Sequence, residues 1–204
     1  FDIAGAEHIP RTGGCIVVAN HRSYFDPIVM NLIVAKVGRP VRFLGKKEVF
    51  DAPIVGQLAT AMGGIRVDRG TGSDEPLRAA AAAIDAGEMV MLMPQGTIPR
   101  GPAFFDPELK GRWGAAKLAQ MTKAPVIPIG LWGTEHVWPR SSRLPNLLNV
   151  TDPPLVTARV GSEVDLKLRS ADADTKRIMR AIEDLLPPES KHQDPTEDDL
   201  RRTF

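Results

Sequence analysis

At 204 residues the chain is long enough for one domain with a substantial core, and 43% apolar against 25% charged residues is the balance of a globular protein. A net charge of +1 gives no basis for nucleic acid as a partner; the single Cys15 excludes an internal disulfide and a cysteine metal site, and four histidines argue against a His-rich one, so no metal is expected. No run approaches the roughly 18–20 apolar residues that cross a bilayer, and no signal peptide is visible.

Residues 1–14 hold Gly5, Pro10, Gly13 and Gly14 and read as a turn-rich approach to the first strand. The chain opens at Phe1 in the manner of mid-protein sequence, so an upstream segment is expected outside it, and an anchor outside the sequence stays open. Ile16-Val17-Val18-Ala19 reads as a buried strand, and Asp26-Pro27 as a helix start with Asp26 as N-cap. The helix over 27–37 is apolar almost all round, which suits burial or contact with lipid, and Gly38-Arg39-Pro40 ends it. A strand is expected over 41–45, a helix over 53–62 and a strand over 65–68 that runs into Arg69-Gly70. The alanine-rich stretch 74–86 forms a helix stopped by Gly87, and Met89 to Met93 a buried strand cut off by Pro94. A loop fills 94–110, a helix 112–122, a strand 126–130 and a Pro/Asn-rich loop 139–153. Late strands are expected over 155–160 and 164–168, and a last helix over 172–186. The segment 187–204, with three basic and five acidic residues, reads as a charged tail without fixed structure, leaving 1–186 as the domain.

Strands alternating with helices predict an α/β fold, a mostly parallel or mixed sheet flanked by helices. Ligands bind such sheets beyond the carboxyl ends of the strands. The unusual residues fall there: Asn20-His21, Asp68-Arg69, Pro94-Gln95-Gly96-Thr97 and the segment after Pro128.

His21 leaves a strand and Asp26 opens a helix. On one helix they would stand roughly 140° apart, so only a tight loop can bring them together, the carboxylate orienting the imidazole. That pair is half of a catalytic triad without its own nucleophile, since no G-x-S-x-G elbow occurs, and it suits deprotonation of a hydroxyl carried by the substrate. The plainer reading leaves Asp26 as a helix cap and His21 as a loop residue. Arg69 at a strand exit offers a guanidinium fork for phosphate, and Arg66 either joins it or pairs with Asp68 on its own face. Gln95-Gly96-Thr97 is either an oxyanion cradle or an ordinary turn. Arg100 and Arg112 either complete a phosphate pocket or lie on solvated surface, and Phe104-Phe105 line an acyl groove or pack the loop.

In order, Asn20-His21-Arg22-Ser23-Tyr24-Phe25-Asp26, Gly64-Ile65-Arg66-Val67-Asp68-Arg69, Met93-Pro94-Gln95-Gly96-Thr97-Ile98 and Ala124-Pro125-Val126-Ile127-Pro128 resemble the four sequence blocks of the glycerolipid acyltransferases, the 1-acylglycerol-3-phosphate and glycerol-3-phosphate O-acyltransferases. The resemblance spans residues 5–135. It departs in the second block, one residue shorter or shifted, and in the third, where Gln95 and Ile98 stand in place of the family's usual Glu and Arg. It implies a glycerol-3-phosphate acyltransferase-like fold and transfer of a fatty acyl group from acyl-CoA or acyl-ACP, as co-substrate, to the hydroxyl of 1-acylglycerol-3-phosphate. His21 and Asp26 would be the base dyad; Arg69, Gln95, Gly96, Thr97, Arg66 and Arg100 would hold the acceptor phosphate, with no cofactor. Glycerol-3-phosphate or another lysophospholipid is the alternative acceptor, and a non-catalytic acyl-CoA or lipid-binding protein the alternative of another class. Such substrates imply a peripheral position on the cytoplasmic face of a membrane, docked through the 27–37 helix and the cluster Lys36, Arg39, Arg42, Lys46 and Lys47.

Overall fold

The computed structural model describes residues 1–53, 55–61, 63–67, 74–149 and 151–204. In chain order these form β1 (Asp2–Ala4), β2 (Cys15–Ala19), α1 (Asp26–Val37), β3 (Val41–Lys46), α2 (Lys47–Asp51), α3 (Val55–Ala61), β4 (Ile65–Val67), α4 (Glu75–Asp85) and β5 (Met89–Leu92). There follow α5 (Gly114–Thr122), β6 (Val126–Trp132), α6 (Thr134–Val137), β7 (Thr157–Val160), α7 (Ala171–Glu183) and α8 (Glu197–Arg201). Among the described residues the strands make one seven-stranded sheet in the order β1-β7-β6-β2-β5-β3-β4. Neighbours are parallel except β6 and β7, which run antiparallel, so the sheet is mixed.

β2 sits in the middle, and all five of its residues are buried, because helices cover both faces of the sheet. Strand alternation sorts them: Cys15, Val17 and Ala19 pack with α1 residues Val29, Met30 and Ile33. Ile16 and Val18 pack with Ala80 and Ile84 of α4, Leu118 of α5, and Ile178 and Ile182 of α7. α1 ends where Gly38 adopts φ 75° and returns its amide to the carbonyls of Val34 and Ala35, a left-handed position that a side chain would strain.

Four sequence expectations are corrected. Residues 2–4, read as part of a turn-rich approach, form an edge strand because β7 supplies the partner, Asp2 opposite Thr157. The helix expected over 53–62 is preceded by a separate turn of helix, α2. Residues 164–168 are not a strand; their backbone is held instead by buried Asp174, whose carboxylate accepts from the amides of Lys167 and Leu168. The segment 187–204 is not a free tail. It carries a 3-10 turn over Pro188–Lys191 and α8, which Thr196 and Asp199 start with a reciprocal capping box. It docks where the Thr203 hydroxyl accepts from the Gly101 amide at 2.7 Å and the Arg202 carbonyl from the Ser141 amide at 3.3 Å.

Candidate active site

The carboxyl ends of β6, β2 and β5 lie side by side, and the register decides what meets there. Val18 pairs with Leu92, so three residues further on His21 and Gln95 are opposite one another. Asn20, fully buried, continues the β2–β6 ladder with its side chain: its amide donates to the Leu131 carbonyl at 2.8 Å and its Oδ1 accepts from the Leu131 amide at 2.7 Å. The loop therefore leaves the sheet from a fixed point.

The loop then wraps around one carboxylate oxygen. Asp26 Oδ2 accepts from the amides of Arg22 at 2.7 Å and Ser23 at 2.8 Å, and it lies 2.8 Å from His21 Nδ1. Asp26 is the first residue of α1 rather than its N-cap, and its carboxylate points back to the residues before the helix. An ionised carboxylate only accepts, so His21 carries its proton on Nδ1 and presents the Nε2 lone pair. Asp26 is fully buried whereas the His21 side chain is 19% exposed, which puts the imidazole at the surface and the carboxylate inside. The His21 amide donates to Gln95 Oε1 at 2.6 Å, locking the same residue from the β5 side. Ser23 is no nucleophile: it is fully buried, and its hydroxyl donates to the Trp138 carbonyl at 2.6 Å and accepts from the Phe25 amide.

Arg22, which the sequence did not mark out, is a second anchor of this loop. Its guanidinium lies between two aromatic rings, 4.2 Å from the Phe104 centroid and 4.4 Å from that of Trp132. Nε donates to Glu135 Oε1 at 2.8 Å and Nη2 to Gln193 Oε1 at 3.3 Å. An arginine inside the His-x4-Asp spacing, beside the candidate base, was the one signal available. An open recess beside it is lined by Phe104, Phe105, Trp132, His136, Arg140 and Arg202.

The residues that resemblance assigns to phosphate are less unified. Gln95 faces His21, as above. The Gly96 amide donates to the Met93 carbonyl at 2.9 Å, closing a turn, and Thr97 is half-buried beside it. Arg66 on β4 pairs with exposed Asp51 at 2.8 Å, while Arg100 is exposed at the start of a 3-10 turn and has no ion pair among the described residues. Arg69 and Asp68 lie outside the described residues. Ile98 is a buried apolar side chain. The basic cluster is split: Arg39 and Arg42 stand at the amino end of β3, Lys46 and Lys47 at its carboxyl end. Arg39 is moreover spent on the carbonyls of Pro10, Gly13 and Gly87, and Arg42 on Glu88.

The acyltransferase family model matches residues 1–132. An uncharacterized protein of Mycobacterium leprae is 34% identical over 146 residues, covering 68% of this chain and 38% of its own. The chloroplastic 1-acyl-sn-glycerol-3-phosphate acyltransferase of Brassica napus is 29% identical over 170 residues, covering 81% of this chain and 46% of its own. The chain thus spans less than half the length of either relative. The crystal structure of PlsC, the 1-acyl-sn-glycerophosphate acyltransferase of Thermotoga maritima, superposes with a TM-score of 0.62 over 90% of this chain and 71% of its own, at 22% identity, and shares the fold.

Proposed function

The chain belongs to the acyltransferase family, and on that premise we propose that it moves a fatty acyl group from a thioester, acyl-CoA or acyl-ACP, to the free hydroxyl of 1-acylglycerol-3-phosphate. The observation that carries this reading is the oriented base, His21 Nδ1 on Asp26 Oδ2 at 2.8 Å with both neighbouring amides on the same oxygen. Nε2 takes the proton of the acceptor hydroxyl as its oxygen attacks the thioester carbonyl carbon. The tetrahedral intermediate collapses, the C–S bond breaks, and the thiolate leaves and recovers the proton from the imidazolium. Attacking oxygen, acyl carbon and leaving sulfur all come from substrates, so the protein supplies the base and the positioning. A base so placed typically contributes about 10²–10⁴ in rate.

The acceptor phosphate requires cations at the same edge. Arg66 is suited to the task because its ion pair with Asp51 is exposed on both sides, and such pairs hold little energy against a phosphate. Ile98, buried and uncharged, brings no cation where an arginine usually stands in the family it resembles, which keeps glycerol-3-phosphate or another lysophospholipid as the second reading. Among the described residues no helix is long and apolar enough to cross a membrane. Peripheral contact is supported by exposed Ile28 and Leu32 on α1, with exposed Tyr24 just before it, and by the absence of any Asp or Glu from residue 27 to 47.

The test is release of free thiol from palmitoyl-CoA with 1-acylglycerol-3-phosphate, glycerol-3-phosphate and a non-phosphorylated monoacylglycerol. The expected result is release with one phosphorylated acceptor that His21→Ala abolishes. Acyl-CoA binding without turnover on any acceptor would instead establish the non-catalytic lipid-binding reading.

A further inference from the structure

The strongest unexplained feature beside the dyad is the price in buried polar contacts at Arg22. Its side chain is 7% exposed, yet it engages four separate parts of the chain. Phe104 comes from the 94–110 loop, Trp132 from the end of β6, Glu135 from α6 and Gln193 from the C-terminal segment. The C-terminal segment is in turn tied to the 94–110 loop through Thr203 and Gly101 and to the 139–153 loop through Arg202 and Ser141. Meanwhile the backbone amide of Arg22 is one of the two that hold Asp26 Oδ2 against His21. Side chain and main chain of one residue therefore couple the periphery to the dyad.

We propose that Arg22 is a positioning residue for the His21/Asp26 dyad and that the C-terminal segment 187–204, through Gln193, belongs to the unit that positions it. The inference rests on the acyl-transfer reading above for its kinetic arm only. The flat guanidinium suits both rings at once, and its neighbouring Nε and Nη2 donors reach Glu135 and Gln193, so the side chain is held by its faces and along its Nε edge, which resists movement of the loop at Arg22. A loop released from that clamp is free to shift. Its two amides then no longer hold the carboxylate in one orientation, and a base displaced by about an ångström loses roughly a hundredfold in rate. Nε and Nη2 are engaged by Glu135 and Gln193 and the guanidinium faces by the two rings, so these protein contacts account for the clamp without a ligand in the recess beside Arg22.

The experiment uses the whole chain with Arg22→Met, which keeps an unbranched apolar stem between the rings and removes the fork. Glu135→Gln, which keeps an acceptor for Nε, and Gln193→Ala accompany it. Turnover and KM for the acceptor are measured with palmitoyl-CoA as donor, and amide hydrogen exchange is followed at Arg22 and Ser23. Arg22→Met is expected to lower kcat roughly ten- to hundredfold with KM within about twofold of wild type, and to speed exchange of both amides. Gln193→Ala should lower kcat roughly three- to tenfold, and Glu135→Gln should retain most activity. Unchanged kcat in Arg22→Met, or a raised KM at unchanged kcat, overturns the proposal, the second outcome marking a substrate-binding arginine instead. Should Arg22→Met not fold, an unchanged kcat and unchanged exchange in Gln193→Ala overturn it equally. If the wild-type protein transfers acyl groups to no acceptor, the acyl-transfer reading fails alone, and faster exchange in the variants still supports the clamp.

Discussion

Replacing Asp26 with asparagine separates what this carboxylate does for the fold from what it does for the chemistry. Three donors converge on Oδ2, and two of them are backbone amides that have nowhere else to go. The amide oxygen of asparagine therefore takes the Oδ2 position, keeps all three bonds, and leaves His21 in the same tautomer. Its NH₂ falls where Oδ1 lies buried without a hydrogen-bond partner among the described residues, which costs about 1–3 kcal/mol. What is lost is the charge. When His21 takes a proton, imidazolium and carboxylate face each other across a 2.8 Å hydrogen bond. With charge centres about 4 Å apart and an effective dielectric near 20, their attraction is about 4 kcal/mol. Losing it slows proton abstraction by about a thousandfold. Asp26→Ala by contrast strands the amides of Arg22 and Ser23 and should cost about 2–6 kcal/mol of stability as well. The assay is initial thiol release from palmitoyl-CoA for the three proteins, with urea unfolding midpoints alongside. A folded Asp26→Asn protein turning over within tenfold of wild type would refute the electrostatic argument, as would a loss that merely tracks the unfolded fraction.

Gln95→Glu preserves the acceptor for the His21 amide and should stay within severalfold of wild-type activity, whereas Gln95→Leu leaves that amide unpaired and should lower kcat about tenfold; equal rates for the two would remove Gln95 from the positioning of His21. Arg39→Met deprives the carbonyls of Pro10, Gly13 and Gly87 of a charged donor at the amino edge of the sheet, and should cost about 1.5–3 kcal/mol in urea unfolding without changing kcat where the protein stays folded. Burial pushes the Glu183 carboxyl above its ordinary range, against the opposing effect of the Leu109 amide bonded to it. The folded state therefore holds that proton more tightly than the unfolded chain, so this group's contribution is intact below the usual glutamate pKa and declines as pH rises through the elevated one. Glu183→Gln should accordingly be more stable than wild type at pH 7, with the advantage vanishing near pH 4; a difference independent of pH would exclude the linkage.

The contact of His21 with Asp26 was legible in the sequence because one short loop separates the two residues. Asn20 ends a run of apolar residues, Asp26-Pro27 begins a helix, and the few residues between leave the imidazole little choice of neighbour. The same locality made the alternation of strands and helices readable, since β2, β5 and β6 are apolar throughout and α4 is rich in alanine. Where contacts join distant parts of the chain, local pattern carried no information. The pairing of Val18 with Leu92 is what brings Gln95 onto the His21 amide, 74 positions away, and turns a residue that the resemblance assigns to phosphate toward His21. Arg22 meets Glu135 and Gln193 at separations of 113 and 171 positions. β1 exists only because β7 offers it an edge, and the charged segment 187–204 is ordered by contacts far upstream, the buried Thr203 on the Gly101 amide and Gln193 on Arg22. Hydrophobic period and capping residues act over a few positions and so fix each element where it stands. The order of strands, and the neighbours of a polar side chain, follow from the burial summed over the whole chain, which no short window of sequence contains.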